Sequence, residues 1–240
     1  MKTFNLSTIL VLFFVFPLSV FSQENKESEW GISFSGFVKN DAFFDTRQTV
    51  AAREGHFLLW PAPENIDANG DDINANSAFN ILAVQSRLSG TIKGPDAFGA
   101  KTSGTIEGDF FAQANDNINL FRLRHAFGKL DWGNTQLLFG QYWNPMFVTS
   151  CFPGTVSFNT GVPVQPFARN PQIRLTQSFG DFKLIAAALS QRDYTSRAPT
   201  PSSDYLRNSG TPDMHLQLHY NTSRLNAGAG IAYKTIMPRI

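Results

Sequence analysis

Glu107 and Asp109 stand two residues apart, as do Arg122 and Arg124, while Arg87 and Arg174 fall at polar positions of alternating segments before and after them. Residues i and i+2 of an extended strand share a face, so each pair projects to one side. Charges placed in this way can pair across neighbouring strands as a ladder that stiffens a wall. They can also pair and, in addition, shape a field that acts on passing solutes. Both readings remain open on spacing alone.

Other chemistry is poorly served. His215 and His219 lie four apart, a metal-binding spacing on a helix, but on a strand they stand about 13 Å apart at 3.3 Å per residue and cannot chelate one ion. Asp67, Asn69, Asp71, Asp72 and Asn74 offer oxygen atoms at near-alternate positions. A calcium loop needs glycine sixth and a carboxylate twelfth, where this chain has Asp72 and Ala78, so an ordinary solvated acidic loop is expected. Cys151 is the single cysteine, which excludes an intrachain disulfide and cysteine-based zinc motifs. No serine or histidine has the neighbours that would make it a nucleophile or a general base. The expectation is a protein that is not an enzyme, with no catalytic residues, no metal site and no cofactor.

The elements that must position the charges are strands. In Met214-His215-Leu216-Gln217-Leu218-His219-Tyr220, apolar residues take one face and polar residues the other. Nine such segments are expected, at 30–46, 78–93, 102–113, 119–130, 135–142, 170–179, 181–191, 212–221 and 225–235. A transmembrane β-strand needs about 9 to 11 residues and carries this two-residue period. Links at 93–102, 131–134, 180–181 and 222–224 are rich in Gly, Asp, Asn or Ser, as tight turns require. Links at 47–77, 114–118, 143–169 and 192–211 alternate with them, and all but 114–118 run much longer, in the manner of an outer-membrane barrel whose long loops face outside. The fold class expected is all-β, an antiparallel transmembrane β-barrel.

Alternation then assigns faces. Gln85, Arg87, Ser89, Thr91 and Lys93 oppose Val84, Leu88 and Ile92; Glu107 and Asp109 oppose Ile106 and Phe110. Arg122 and Arg124 oppose Phe121, Leu123 and Phe127, and Gln172, Arg174 and Thr176 oppose Ile173 and Leu175. A charge facing lipid at mid-depth costs about 2 to 4 kcal/mol. Arg87, Glu107, Asp109, Arg122, Arg124 and Arg174 are therefore the expected pore-lining residues at a constriction. By the same alternation His125 falls on the apolar face, where it fits only near an interface.

Residues 1–22 carry Lys2, an apolar run over 9–16, Pro17 and Val20-Phe21-Ser22, and read as a cleaved signal peptide that leaves 23–240 as the barrel domain. Twenty basic against nineteen acidic residues give a net charge of +1 without a basic block, which argues against nucleic acid as a partner. The 23 phenylalanines suit the aromatic girdles of a barrel. An odd strand count, and an end at Ile240 where the resemblance to outer-membrane barrels implies an aromatic residue, read as the N-terminal portion of a longer barrel, truncated at its C-terminus, of about 16 to 18 strands.

Ile106-Glu107-Gly108-Asp109-Phe110-Phe111, Leu123-Arg124-His125-Ala126-Phe127-Gly128, Gly140-Gln141-Tyr142-Trp143 and Asn170-Pro171-Gln172-Ile173-Arg174-Leu175-Thr176 follow one another with a spacing that resembles the DcaP-like porins. These are trimeric outer-membrane channels of Gram-negative bacteria. The resemblance is best over 106–193; the flanks follow by pattern. It implies a water-filled barrel in outer-membrane lipid, a homotrimer, small anionic solutes as cargo, and a third long loop that folds inward to narrow the pore. By position that loop is 143–169, and the matching arginines are Arg122, Arg124 and Arg174. Family members can carry a helical periplasmic extension before the barrel, for which 23–29 leaves no room.

The loop is informative without the family. Pro145, Phe147, Phe152, Pro153, Gly154, Phe158, Pro163, Pro166 and Phe167 make it too apolar and stiff for a solvated excursion. It either caps the mouth or contacts another subunit, or it enters the lumen. The function expected is an outer-membrane porin giving passive diffusion of small hydrophilic, anionic solutes. The alternative is a non-conducting surface barrel with an adhesion or assembly role, and a third reading is a soluble secreted β-sandwich.

Overall fold

The structure, a computed structural model, describes residues 30–111, 114–152, 167–193, 196 and 202–238. The expected signal peptide and the stretch 153–166 of the third long loop lie outside the described residues.

The chain runs through β1 (Gly31–Phe37), β2 (Asp41–Asp45), β3 (Thr49–Ala52), β4 (Phe57–Pro61), β5 (Ala78–Leu82), β6 (Arg87–Lys93) and β7 (Lys101–Phe110). It continues with β8 (Phe121–Asp131), β9 (Thr135–Trp143), β10 (Arg169–Phe179) and β11 (Phe182–Leu189). A short helix, α1 (Asp204–Asn208), precedes β12 (Asp213–Asn221) and β13 (Asn226–Tyr233). Nine of these strands form one antiparallel sheet in the order β1-β6-β7-β8-β9-β10-β11-β12-β13. This all-β meander matches the nine expected segments in place and order.

Two segments are divided. The first expected strand is β1 and β2, interrupted at Val38-Lys39-Asn40, and the second is β5 and β6, interrupted near Gln85. Gln85 has a φ of 68°, outside the strand region, and here Gln85 donates its N–H to the Phe110 carbonyl while Lys39 donates its own to Ser86 Oγ. The main ladder ends, and β2 pairs β5 as a separate ribbon. The first long loop also contains a hairpin of β3 and β4.

The tight turns obey local chemistry. Gly133 has a φ of 89° and donates its N–H to Asp131 Oδ1, while Gly180 turns β10 into β11 with a φ of 60°. Gly140, with a φ of 124°, answers a close approach: a Cβ there would overlap the Ala126 carbonyl oxygen of β8 and lie 2.7 Å from Phe127 Cα.

One irregularity changes a face. Glu107 pairs His125 but Gly108 pairs Leu123, so Arg124 is an extra residue in β8. A bulge of this kind shifts parity beyond it. His125 and Phe127 therefore stand opposite Glu107 and Thr105 on the polar face, against the expectation that placed both among the apolar residues. Simple alternation cannot register an inserted residue.

Burial is inverted relative to a water-soluble protein. Asp109 is 0% exposed, and Arg124, Gln172, His215 and Gln217 are buried, while Ile173 is 62% exposed and Ile231 73%. Ile106, Leu123, Leu175, Leu216 and Leu218 continue the exposed apolar face. Large contiguous apolar surface rimmed with polar residues marks contact with a partner or a membrane, and a transmembrane barrel presents such a face to lipid. No described helix is long and apolar enough to cross a membrane. The outermost strands β1 and β13 do not pair with each other, so the wall stays open along both edges among the described residues.

Candidate functional site

The register of β6, β7 and β8 builds the charged site. Arg87, Asp109 and Arg122 form one cross-strand row, and Ser89, Glu107 and His125 form the next. Asp109 accepts Arg122 Nε at 3.1 Å on Oδ1 and Arg124 Nη1 at 3.0 Å on Oδ2, with Arg87 Nη2 3.4 Å from Oδ2. Glu107 Oε1 accepts Arg124 Nε at 2.7 Å and lies 3.7 Å from Arg87 Nε and 3.9 Å from His125 Nε2. The bulge makes this convergence possible, because Arg124 reaches both carboxylates from the extra position it occupies in β8. Three guanidinium groups on two carboxylates leave one excess positive charge.

Aromatic rings brace the arginines. The Arg122 guanidinium carbon lies 4.3 Å from the Phe111 ring centre, that of Arg124 5.5 Å from Trp143, and that of Arg87 5.2 Å from Phe37. A cation over a ring gains roughly 0.5 to 2 kcal/mol and loses freedom to swing away. Arg122 Nη2 is buried and has no hydrogen-bond partner among the described residues.

Five of the six expected residues are thus brought together, and Arg174 stands apart. Its Nε donates to Gln172 Oε1 at 2.9 Å, its Nη2 donates to the Trp143 carbonyl at 2.5 Å, and its plane lies over Tyr142. No described carboxylate lies within 4 Å of it, so its charge is uncompensated.

Arg169 is a member that sequence reasoning missed. Its backbone N–H and its Nε both donate to Asp193 Oδ2 at 2.9 Å, and its buried Nη1 has no hydrogen-bond partner among the described residues. It packs over Trp143 and Phe167. Its parity is opposite to that of Gln172 and Arg174, so alternation could not have found it; only the fold supplies Asp193.

The described part of the third long loop turns over the polar face. Asn144 donates its N–H to the Ala168 carbonyl and its Nδ2 to Asn170 Oδ1, and Trp143, Phe147, Phe152 and Phe167 pack ring to ring. Met146, Val148 and Cys151 then line a cleft of about 350 Å³ together with His215, Gln217 and His219 of β12.

The acidic residues of the first long loop shape the loop. Asp67 Oδ1 accepts the N–H groups of Asn69 and Asp71, and Asp72 Oδ1 those of Asn65 and Asn74. The Asn65 N–H, with help from the Arg47 guanidinium, holds Asp72 below the usual carboxylate range.

No family model matches the sequence, and no curated protein does. Solved structures do. The outer membrane channel DcaP of Acinetobacter baumannii superposes with a TM-score of 0.62 at 20% identity, over 87% of this chain and 54% of that one. The anion-selective porin from Comamonas acidovorans superposes with a TM-score of 0.51 at 16% identity, over 87% of this chain and 58% of that one. The fold is that of outer-membrane porins. The chain spans about half the length of the solved porins it matches.

Proposed function

We propose that this chain forms the wall of an outer-membrane channel in a Gram-negative bacterium, through which small hydrophilic, anionic solutes diffuse passively. On this reading, residues 1–22 export the protein and 23–240 belong to the barrel domain, with the apolar face against lipid. Further strands pair along the open edges of β1 and β13 to close the wall. The finer assignment to DcaP-like porins, and with it a homotrimer, draws on the short motifs between 106 and 193 together with the shared fold.

The observation that carries the proposal is a polar face whose buried charges do not cancel. Arg87, Arg122 and Arg124 outnumber Glu107 and Asp109, and Arg174 has no carboxylate within 4 Å among the described residues. Fixed positive charge in a narrow, low-dielectric cleft raises the local concentration of anions. The guanidinium N–H groups replace part of a solute's hydration, while the paired carboxylates keep the field from trapping it. No chemistry is performed on the solute.

Planar-bilayer recordings test this reading. Stable conductance with an anion-leaning reversal potential is expected, and Arg122→Ala or Arg174→Ala should each weaken the lean. A cation-selective pore indifferent to both changes refutes the arginine assignment. Liposomes that retain small solutes in the presence of the protein favour the non-conducting surface barrel instead.

A further inference from the structure

The first long loop does not run free above the wall. Arg47 donates from Nη1 to Asp72 Oδ2 and from Nε to the Ala62 carbonyl, each at 2.7 Å, and this closes the base of the hairpin of β3 and β4. Its tip, Arg53-Glu54-Gly55, has φ values of 55°, 53° and 86° in succession, a left-handed path that is costly for the first two residues. Strain of this kind persists where the surroundings hold it. Glu54 donates its N–H to Asn115 Oδ1 at 3.3 Å, and the Asn80 side chain donates to the Glu54 carbonyl at 3.4 Å. Gly55 fits there because a Cβ would stand 2.8 Å from Asn80 Nδ2.

The held tip lands on Phe111, directly after β7. His56 meets that ring edge-on at 4.3 Å and Phe57 at 5.6 Å, and Phe111 is left 2% exposed. The guanidinium carbon of Arg53 then lies 5.1 Å from the Phe111 ring centre, and that of Arg122 lies 4.3 Å from the same centre. One ring thus joins a cation from the loop to a cation of the charged wall. Sequence alternation could not show this, because Arg53 lies in a loop and 69 positions separate it from Arg122.

The geometry points to Arg53 as a further selectivity-determining residue, which extends the cationic wall from Arg122 toward the outer mouth and draws small oxyanions, carboxylate or phosphate, into the pore. This inference rests on the channel reading above. With long loops outside, a solute entering from that side meets Arg53, a cation beside Glu54 at the hairpin tip, before Arg122. Phe111 fixes the spacing of the two charges, and Phe57, 4.9 Å from the Arg53 guanidinium carbon, limits its swing.

The experiment is the reversal potential of the purified protein in planar bilayers under a salt gradient, run once with chloride and once with phosphate as the anion. Arg53→Ala should lower the anion-to-cation permeability ratio about twofold at low salt, the effect of one unit charge acting through water over about 10 Å. The difference should fade near 1 M salt, where screening shortens to about 3 Å. Arg53→Lys, which keeps the charge, should retain most of the wild-type ratio. Arg53→Gln, with the stem but no charge, takes the place of Arg53→Ala if that variant does not reach the heat-modifiable, assembled form. Conducting wild-type protein with an unchanged ratio in the neutral variants overturns the role of Arg53 and leaves the channel standing, and an equal loss in Arg53→Lys overturns the role of its charge. Wild-type protein that passes no current overturns the channel reading and this inference together.

Discussion

Three guanidinium groups converge on Asp109, whose side chain has no exposed surface, whereas Glu107 keeps a partly exposed one. Burying a carboxylate is costly unless nearby charge and hydrogen bonds replace its water, and removing one partner of such a set leaves the rest uncompensated. Asp109→Asn keeps the shape and deletes the charge, so three arginines then share Glu107 alone. A loss of about 3 to 5 kcal/mol is expected, read as a lower urea midpoint for the folded protein in detergent micelles. Glu107→Gln should lose distinctly less, because water reaches its carboxylate. Equal midpoints for the two variants would show that Asp109 is not the centre of the network. The pairing itself was legible in the sequence, since Glu107, Asp109, Arg122 and Arg124 alternate on adjacent segments. What was not legible is that Arg124 serves both carboxylates, which depends on one inserted residue.

Among the elements, the strands were easiest to read and their interruptions hardest. A period of two survives in β7, β10 and β12 because one face of each is polar and the other apolar. The break at Gln85 and the bulge at Arg124 leave no mark in composition, since each is decided by which neighbouring strand offers a hydrogen bond. The hairpin of β3 and β4 was hidden for another reason: its support comes from Asn115 and Phe111, distant in the chain. Its docking should depend on pH. Burial first, then the charges of Lys39 and Arg53, push the His56 imidazole down to about 4 from 6.5, with Asp41 opposing and Arg122 adding to the shift. A base with a lowered pKa in the docked state contributes docking stability that is complete above 6.5 and erodes as pH falls toward about 4. Hydrogen exchange at the hairpin amides, corrected for intrinsic rate, should therefore lose protection across that interval. His56→Gln, which cannot titrate there, should give a flat profile, and parallel profiles in the two proteins would remove His56 from the docking.

The molecule as a whole is recognisable by which face is buried, a property of nine strands acting together. Each strand alone is a weak signal, yet a sheet with Ile106, Leu123, Ile173, Leu175 and Leu216 on its exposed side and charged residues on its buried side has one solvent that suits both. That arrangement followed from alternation plus the cost of charge in hydrocarbon, so the fold class could be read before any contact was known. The position of the described part of the third loop could not, because it faces β12 across a cleft lined by residues far apart in sequence. Substitution on the two faces of β10 separates a lipid-facing wall from a water-facing one. Ile173→Arg puts a charge on the exposed apolar face and should reduce membrane assembly by about 2 to 4 kcal/mol. Thr176→Arg, on the face shared with Gln172 and Arg174, should assemble normally and strengthen the anion lean, because it adds a cation beside the uncompensated Arg174. Assembly is read from heat-modifiable mobility after refolding into lipid vesicles, and the lean from the reversal potential. If both arginines assemble equally well, the apolar face does not meet acyl chains; if Thr176→Arg alone fails, the polar face is a dry interior and conducts nothing.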